Sequence, residues 1–522
     1  MHGYRILKES NQLDKISDVK ESLANSRFSY CSVGAAKLFF GAALNNAEIA
    51  IRQYLIIHVA GLSLNKSLLY SIGKPGSAII HPLPPEWRRI IEQHGFRVSK
   101  IRSVFAWQGF VILRMAYGIA TIAIQAIVNF KAVLFHSLQP LGRYAYFESL
   151  TVDNLPQSGK DGRSYDIVTW YQQWAGRILG LDTLCHSVKG ASPRIINNIP
   201  VISTPSAILP LTRFIAIIRY VVWGIAASAT AIFDLFRGRW WHALLMREAA
   251  KSVQVRLQDP YKIAKDYMFH QSGPLYRPLW TYEAEKHGSR ITFYFYATNI
   301  EGFKPPEGYN NKAYTWQTMN WPHYLVWDEY QADFVRRAVG KNANISVTGP
   351  IWFENSEKAM KFLPQNSIAV FDVQPHRDSR YQIYGADQEY YTPSTANQFL
   401  LDIYHVLKEF KVTMVLKRKR NIGNMLNRRY STVVQKLNNS GHLISVEPDI
   451  SARRVIERCA AVISMPFTST SLIGRELGKP AIYYDPLGMV QKDDRAAHGI
   501  EIISGTQELF EWVNSVIRKE QS

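Results

Sequence analysis

Residues 461–485 read AVISMPFTSTSLIGRELGKPAIYYD. An apolar β-type run, AVIS, breaks at Met465-Pro466, and hydroxyl residues crowd 468–471 before a helical pattern of Leu472, Ile473 and Leu477 begins. That pattern stops at Gly478-Lys479-Pro480, and a second β-type run, AIYYD, follows. The spacing predicts a strand–turn–helix–strand unit. Its helix N-terminus, dressed with Thr468, Ser469, Thr470 and Ser471, offers free amides, a positive dipole end and hydroxyl donors. At the carboxyl edge of a parallel sheet these suit a phosphate or carboxylate; alone, the same residues describe an ordinary N-cap.

Outward from this unit the C-terminal third alternates strands and helices. Strands are expected at 367–373, 411–416, 442–446, 461–464, 481–484 and 500–503, with helices at about 395–409, 421–438, 450–459, 470–477 and 506–519. Strands separated by helices of this length imply a parallel, doubly wound sheet, so 356–522 reads as one Rossmann-like domain. The preceding region has the same grammar with more interruptions: strands at 53–60, 77–81, 165–169, 291–297, 323–327 and 345–348, and helices at 84–95 and 328–339. Residues 1–355 therefore read as a second Rossmann-like domain carrying an apolar helical insertion at about 100–260, with VTGPIW at 347–352 as the crossing.

Pro466-Phe467-Thr468-Ser469, with the Gly-Lys-Pro and Tyr-Asp-Pro that follow, resembles the signature of bacterial polysaccharide-biosynthesis proteins named for their PFTS motif. The similarity is close over 366–490 and weaker over 277–330. More loosely, the hydroxyl pair, Glu476 and Gly-Lys-Pro resemble the donor-site helix of GT-B glycosyltransferases. The resemblance implies two facing Rossmann-like domains, a nucleotide-sugar donor in the C-terminal one and an acceptor in the N-terminal one. It gives Glu476 the donor ribose, and it favours Asp372 and Arg377 over His376 in the loop after the first strand of the second domain.

That loop, Asp372-Val373-Gln374-Pro375-His376-Arg377-Asp378-Ser379, brings a cation, an imidazole and two carboxylates to the sheet edge. Arg377 suits a diphosphate, whereas Asp372, His376 or Asp378 suits an acceptor hydroxyl's proton; mutual Asp–Arg pairing is the plainer reading. The next strand ends in Lys417-Arg418-Lys419-Arg420, and alternation sends Lys417 and Lys419 to one side, where they can hold a departing nucleotide's charge. Pro466, Thr468, Ser469 and Thr470 complete the expected donor site. Asp485 and Glu447 line a base pocket or cap turns, and Asp166, Glu283, Asp328 and Glu329 are acceptor-side candidates at the first domain's strand ends. The sequence has no DxD triplet at a strand end, no P-loop, no GxSxG and no HExxH. A metal-independent transfer with no cofactor beyond the donor is the expectation. Transfer of a polyol phosphate, as in teichoic-acid synthesis, and a non-catalytic place in an assembly complex are the competing readings.

Across 522 residues, 61 Lys and Arg against 42 Asp and Glu give a net charge of +19. Such a field favours anionic partners such as nucleotide sugars or anionic lipids. Nucleic acid is disfavoured, because the basic quartet lacks interleaved aromatics. Cys31, Cys185 and Cys459 are odd in number and widely spaced, so reduced thiols are expected, and the polar N-terminus is unlike a secretory signal. Two apolar stretches, 103–136 and 207–236, have their longest uncharged runs cut to 16 and 14 residues by Arg114, Lys131, Arg219 and Asp234. With basic residues flanking both, an interfacial or shallow re-entrant insertion is expected, with Trp107, Trp223, Trp240 and Trp241 at the head-group layer; a pair of buried helices is the alternative. The chain is thus expected to be cytoplasmic and peripheral at the inner membrane face, acting on a lipid-linked or polymeric glycan.

Overall fold

The computed structural model describes residues 13–28, 33–74, 76–135, 142–156, 166–176, 180–270, 275–298, 300–304, 308–309, 314–351, 359–377, 390–418, 421–448 and 450–521. The chain opens with helices α1 (Leu13–Ala24), α2 (Val33–Phe40), α3 (Ala47–His58), α4 (Leu62–Gly73), α5 (Pro85–Gln93) and the long α6 (Lys100–Leu134). Strands β1 (Tyr144–Phe147), β2 (Thr183–His186), β3 (Arg194–Ile196) and β4 (Ile199–Ser203) come next, followed by α7 (Phe214–Phe236) and α8 (Trp241–Arg256). Then come β5 (Asp266–His270), α9 (Leu279–Lys286), β6 (Arg290–Tyr294), β7 (Tyr324–Val326), α10 (Glu329–Ala338) and β8 (Ile345–Val347). Among the described residues these strands form one sheet in the order β3-β4-β2-β1-β5-β6-β7-β8, parallel throughout except for β3 against β4.

The second sheet is built from β9 (Ser367–Phe371), α11 (Pro393–Glu409), β10 (Thr413–Lys417), α12 (Arg428–Asn438), β11 (Leu443–Val446), α13 (Ala452–Glu457), β12 (Ala461–Ser464), α14 (Ser469–Glu476), β13 (Ala481–Asp485), β14 (Glu501–Ser504) and α15 (Gly505–Gln521). Its order is β11-β10-β9-β12-β13-β14, all parallel. Strand alternation sorts the core. Ile368, Val370, Met414 and Leu416 face α11, while Ala369, Phe371, Val415 and Val462 face α13 and α14. The fold is α/β with two Rossmann-like parallel sheets and apolar helices in the N-terminal half.

Three expected strands are absent. QYLIIHVA at 53–60 lies largely in α3, because Ala47, Ala50, Ile51, Tyr54 and Leu55 recur at helical spacing and are buried on one face. At 77–81 only an isolated bridge, Ile79 to Val98, forms. At 165–169 Asp166 caps a short helix, Ile167–Tyr171, by accepting from the Thr169 amide. The span 100–260 also holds β1–β4 and is not wholly helical. Its two apolar stretches hold uninterrupted helices, Lys100–Leu134 of 35 residues and Phe214–Phe236 of 23, each long and apolar enough to cross a membrane; 207–213 lie outside the second, and residue 136 is outside the described residues. Neither helix is broken by a bend. Trp107, Trp223, Trp240 and Trp241, expected at a head-group layer, are buried within the protein. Trp107 meets Trp240 edge-on, and the Trp223 indole donates to the Leu38 carbonyl.

Candidate functional site

Each sheet has one place where its strand order reverses, and a crevice opens there between neighbouring strands' carboxyl ends. In the second sheet it lies between β9 and β12, which puts Asp372 beside the 465–471 turn. In the first it lies between β1 and β5, at Glu148, Ser149 and His270.

The second crevice is shaped by a tight strand-to-helix turn. Phe467 adopts φ +62, a left-handed conformation that costs a bulky residue about 1–3 kcal/mol. Its surroundings hold it there. The ring packs 4.7 Å from Phe303 and 5.9 Å from Tyr483, and the hydroxyls of Tyr391 and Tyr483 donate to the carbonyls of Pro466 and Thr468, each at 2.8 Å. Thr468 makes no side-chain cap to α14, which departs from the plain N-cap reading. Its hydroxyl donates to the Met465 carbonyl at 2.9 Å and joins a chain through Thr470 to Ser464, while Ser471 donates to the Ile482 carbonyl.

Ser469 turns the other way. Its Oγ accepts from the Thr298 amide at 3.2 Å and lies 3.1 Å from the Thr298 hydroxyl, so a residue following β6 of the first sheet rests on the motif. The segment that follows β6 therefore meets the turn that follows β12. Further links stand beside this one. Asp328 bonds His498, Glu301 pairs with Arg495, the Lys304 amide donates to Asp494, and the Tyr309 hydroxyl donates to the same carboxylate.

Asp372 is buried. Tyr430 donates to its Oδ2, and among the described residues Oδ1 has no partner. Burial pushes its carboxyl up to about 6, against the pull of Tyr430 and Arg418. His376 and its neighbours are tied by backbone pairing, with Arg377 N donating to Met425 O and Asn427 N to Pro375 O, both near 3 Å. The Arg377 side chain is exposed, Lys417 is buried at the end of β10, and Pro466 is buried. Asp378 and Lys419 lie outside the described residues. Glu476 is exposed at the last position of α14, away from the Ser469 end. Asp485 holds the following turn, accepting from the amides of Leu487 and Val490 and from Tyr390.

The acceptor-side candidates scatter. Asp166 and Asp328 cap helices, Glu283 accepts from the Ala42 amide and pairs with Arg256, and exposed Glu329 pairs with Arg336. Glu148 and His270, at the first crevice, escaped the sequence reading because YAYF and DYMFH are strands of four and five residues whose aromatic alternation was the one available signal. Burial raises the Glu148 carboxyl, with Lys251 opposing, and lowers the His270 imidazole. The His270 Nε2 lies 3.4 Å from the Ser149 carbonyl, and its ring stands 5.4 Å from that of Tyr294 and 5.6 Å from that of Tyr296.

Two parallel α/β sheets with carboxyl edges turned on each other, one carrying a hydroxyl-rich helix start, define a two-lobed Rossmann-type protein. Residues 206–513 match the model of the family described as polysaccharide biosynthesis PFTS motif protein, and the chain belongs to that family. No curated protein matches the chain. Solved structures similar to it include UDP-GlcNAc 2-epimerase from Methanocaldococcus jannaschii, 9% identical, covering 52% of this chain and 74% of that one at TM-score 0.30. Anabaena HepE, solved with UDP and glucose, is 11% identical over 73% of this chain and 91% of that one at TM-score 0.36. Os79 from O. sativa, solved with U2F and trichothecene, is 11% identical over 72% and 92% at TM-score 0.35. Scores this low carry no assignment of ligand or activity.

Proposed function

We propose that the chain is a glycosyltransferase moving a sugar from a nucleotide-activated donor to a lipid-linked or growing surface polysaccharide of capsule or O-antigen type. It works without a metal, on the cytoplasmic side of the membrane. The carrying observation is the contact between Thr298 and Ser469, which sets the hydroxyl-rich start of α14 against the opposite lobe's sheet edge. Family membership supports the sugar-polymer setting. In this reading residues 356–522 hold the donor and residues 1–355 the acceptor, the +19 charge favouring both anionic substrates and an anionic membrane.

The donor's diphosphate sits at the α14 amides beside Thr468, Ser469 and Thr470, with Arg377, Lys417 and Lys419 completing the positive field. An acceptor hydroxyl attacks the anomeric carbon as the bond from that carbon to the phosphate oxygen breaks. Its proton passes to a carboxylate, and the nucleotide leaves with the electron pair. Asp372, buried at the sheet edge with one oxygen unpaired among the described residues and its carboxyl pushed up to about 6, is the carboxylate assigned this proton. Glu148 and His270 position the acceptor.

The test is thermal shift and product formation with UDP-, GDP-, CMP- and CDP-linked sugars and CDP-polyols. One nucleotide sugar that stabilises the protein and is consumed with a glycan acceptor supports the reading. Consumption of a CDP-polyol instead assigns polyol-phosphate transfer. Unchanged polymer production by S469A and K417A variants assigns a non-catalytic assembly role.

A further inference from the structure

The helices α6 and α7 lie antiparallel. Trp107 meets Trp240 at one end of the pair, a Cβ at Gly224 would come within 2.6 Å of Ile122 at its middle, and Asn129 accepts from the Leu211 amide at the other end. One face of the pair packs on α8, where Gly118 allows close approach to Met246. The opposite face is open and apolar along its whole length, with Phe105, Leu113, Ile124, Val222, Ile225 and Phe233 all exposed. So large an unpartnered apolar face demands an occupant.

The charges say which. Between Arg102 and Lys131 no fully exposed residue of α6 is charged, and half-buried Arg114 folds back over the Phe110 ring. Neither helix presents an acidic residue, since Asp234 is buried against His242 and Arg239. Exposed Arg102 and Arg237 border one end of the face, and exposed Lys131 and Arg219 border the other. A second copy docked here, in either direction, brings cations against cations at both ends. Anionic lipid head groups complement both ends at once.

The packing sets the orientation. Outward from the first sheet the layers run β6, α9, α8 and then the pair, and α8 is buried along almost its whole length. Both ends of the pair join the same body: β1 follows α6, β4 precedes α7, and at the other end Phe28 packs on Trp240 while α1 touches the short helix Tyr314–Gln317. A bilayer crossing would draw this covered side into hydrocarbon, with its buried charges and sheet.

We infer that α6 and α7, though long enough to span, lie side by side in the plane of one anionic leaflet, as a monotopic docking face. This rests on the membrane setting proposed above and names its surface. The face brings a lipid-linked acceptor and the first lobe to the same layer.

The experiment mixes the full chain, without donor or acceptor, with vesicles of phosphatidylcholine alone or with phosphatidylglycerol, and follows flotation. Stronger binding to the anionic vesicles is expected. The L113E/I225E variant, altered at two positions each 68% exposed, should lose at least tenfold in binding with its melting temperature unchanged. Labelling of a cysteine placed in either helix by an impermeant thiol reagent sealed inside the vesicles overturns the in-plane orientation. A dimer by light scattering with no vesicle binding overturns the lipid occupant. Because no transfer is measured, a failed docking face and a failed transferase reading are told apart.

Discussion

His498 Nδ1 lies 2.8 and 2.9 Å from the two carboxylate oxygens of Asp328, 170 residues earlier in the chain. The pair joins the residue that caps α10, just past β7 of the first sheet, to the loop between β13 and β14 of the second. Arg475 of α14 stands 3.5 Å from the same carboxylate.

The Asp328 pair makes the contact between lobes acid-sensitive. Burial opposes ionisation of Asp328, but the bond and charge of His498, the Gln331 amide and Arg475 outweigh it and hold the carboxyl below its usual range. A depressed folded value contributes stability that is full above the unfolded value near 4 and is lost as pH falls below it. Unfolding of wild type should therefore show a steeper stability decline below about pH 4 than unfolding of D328N. Parallel acid curves for the two proteins would refute this.

Asp372 has the opposite sign. Its folded value near 6 lies above the unfolded carboxyl, so the native state binds the extra proton and stability declines as pH rises from about 4 to 6. Above that window the buried charge costs on the order of 2–3 kcal/mol. D372N should melt higher than wild type at pH 7.5 and converge with it near pH 4, while losing transfer activity at both. A lower melting temperature at pH 7.5 would remove the buried ionisation.

The second lobe was legible almost strand by strand, because each of its strands is a short apolar run closed by a turn signal. AVIS at 461–464 and AIYYD at 481–485 need no partner to be recognised. In the first lobe QYLIIHVA reads equally as strand or buried helix, and only packing of α3 against its neighbours decides it. The site was half legible for the same reason. Ser469 follows from local pattern, but its bond to Thr298 spans 171 residues, and the bond that ties Asp372 to Tyr430 spans 58. Such pairings belong to the sheet order, which a linear pattern does not encode.

Gly474 fixes how closely the motif helix lies on its sheet. A Cβ there would sit 2.8 Å from Val462 Cγ2 and 3.2 Å from Ala481 Cβ, both on strands that α14 covers. G474A should therefore destabilise the protein by about 1–3 kcal/mol, the usual cost of overpacking, and G474V by more. Urea unfolding reads this directly. A neutral G474A would mean that α14 lifts off β12 without cost.

Ser469 separates a structural hydroxyl from a donor-binding one. Its Oγ already bonds Thr298, so a phosphate at the α14 start must share or displace that bond. If the donor takes the hydroxyl, S469A loses one bond to a charged group, about 1.5–3 kcal/mol, or roughly 10- to 150-fold in donor affinity. T298V removes only the partner's hydroxyl and should leave donor affinity within about threefold. Donor titrations of both variants by calorimetry decide it. Equal losses in S469A and T298V would make the contact between lobes, and not the phosphate, the business of this serine.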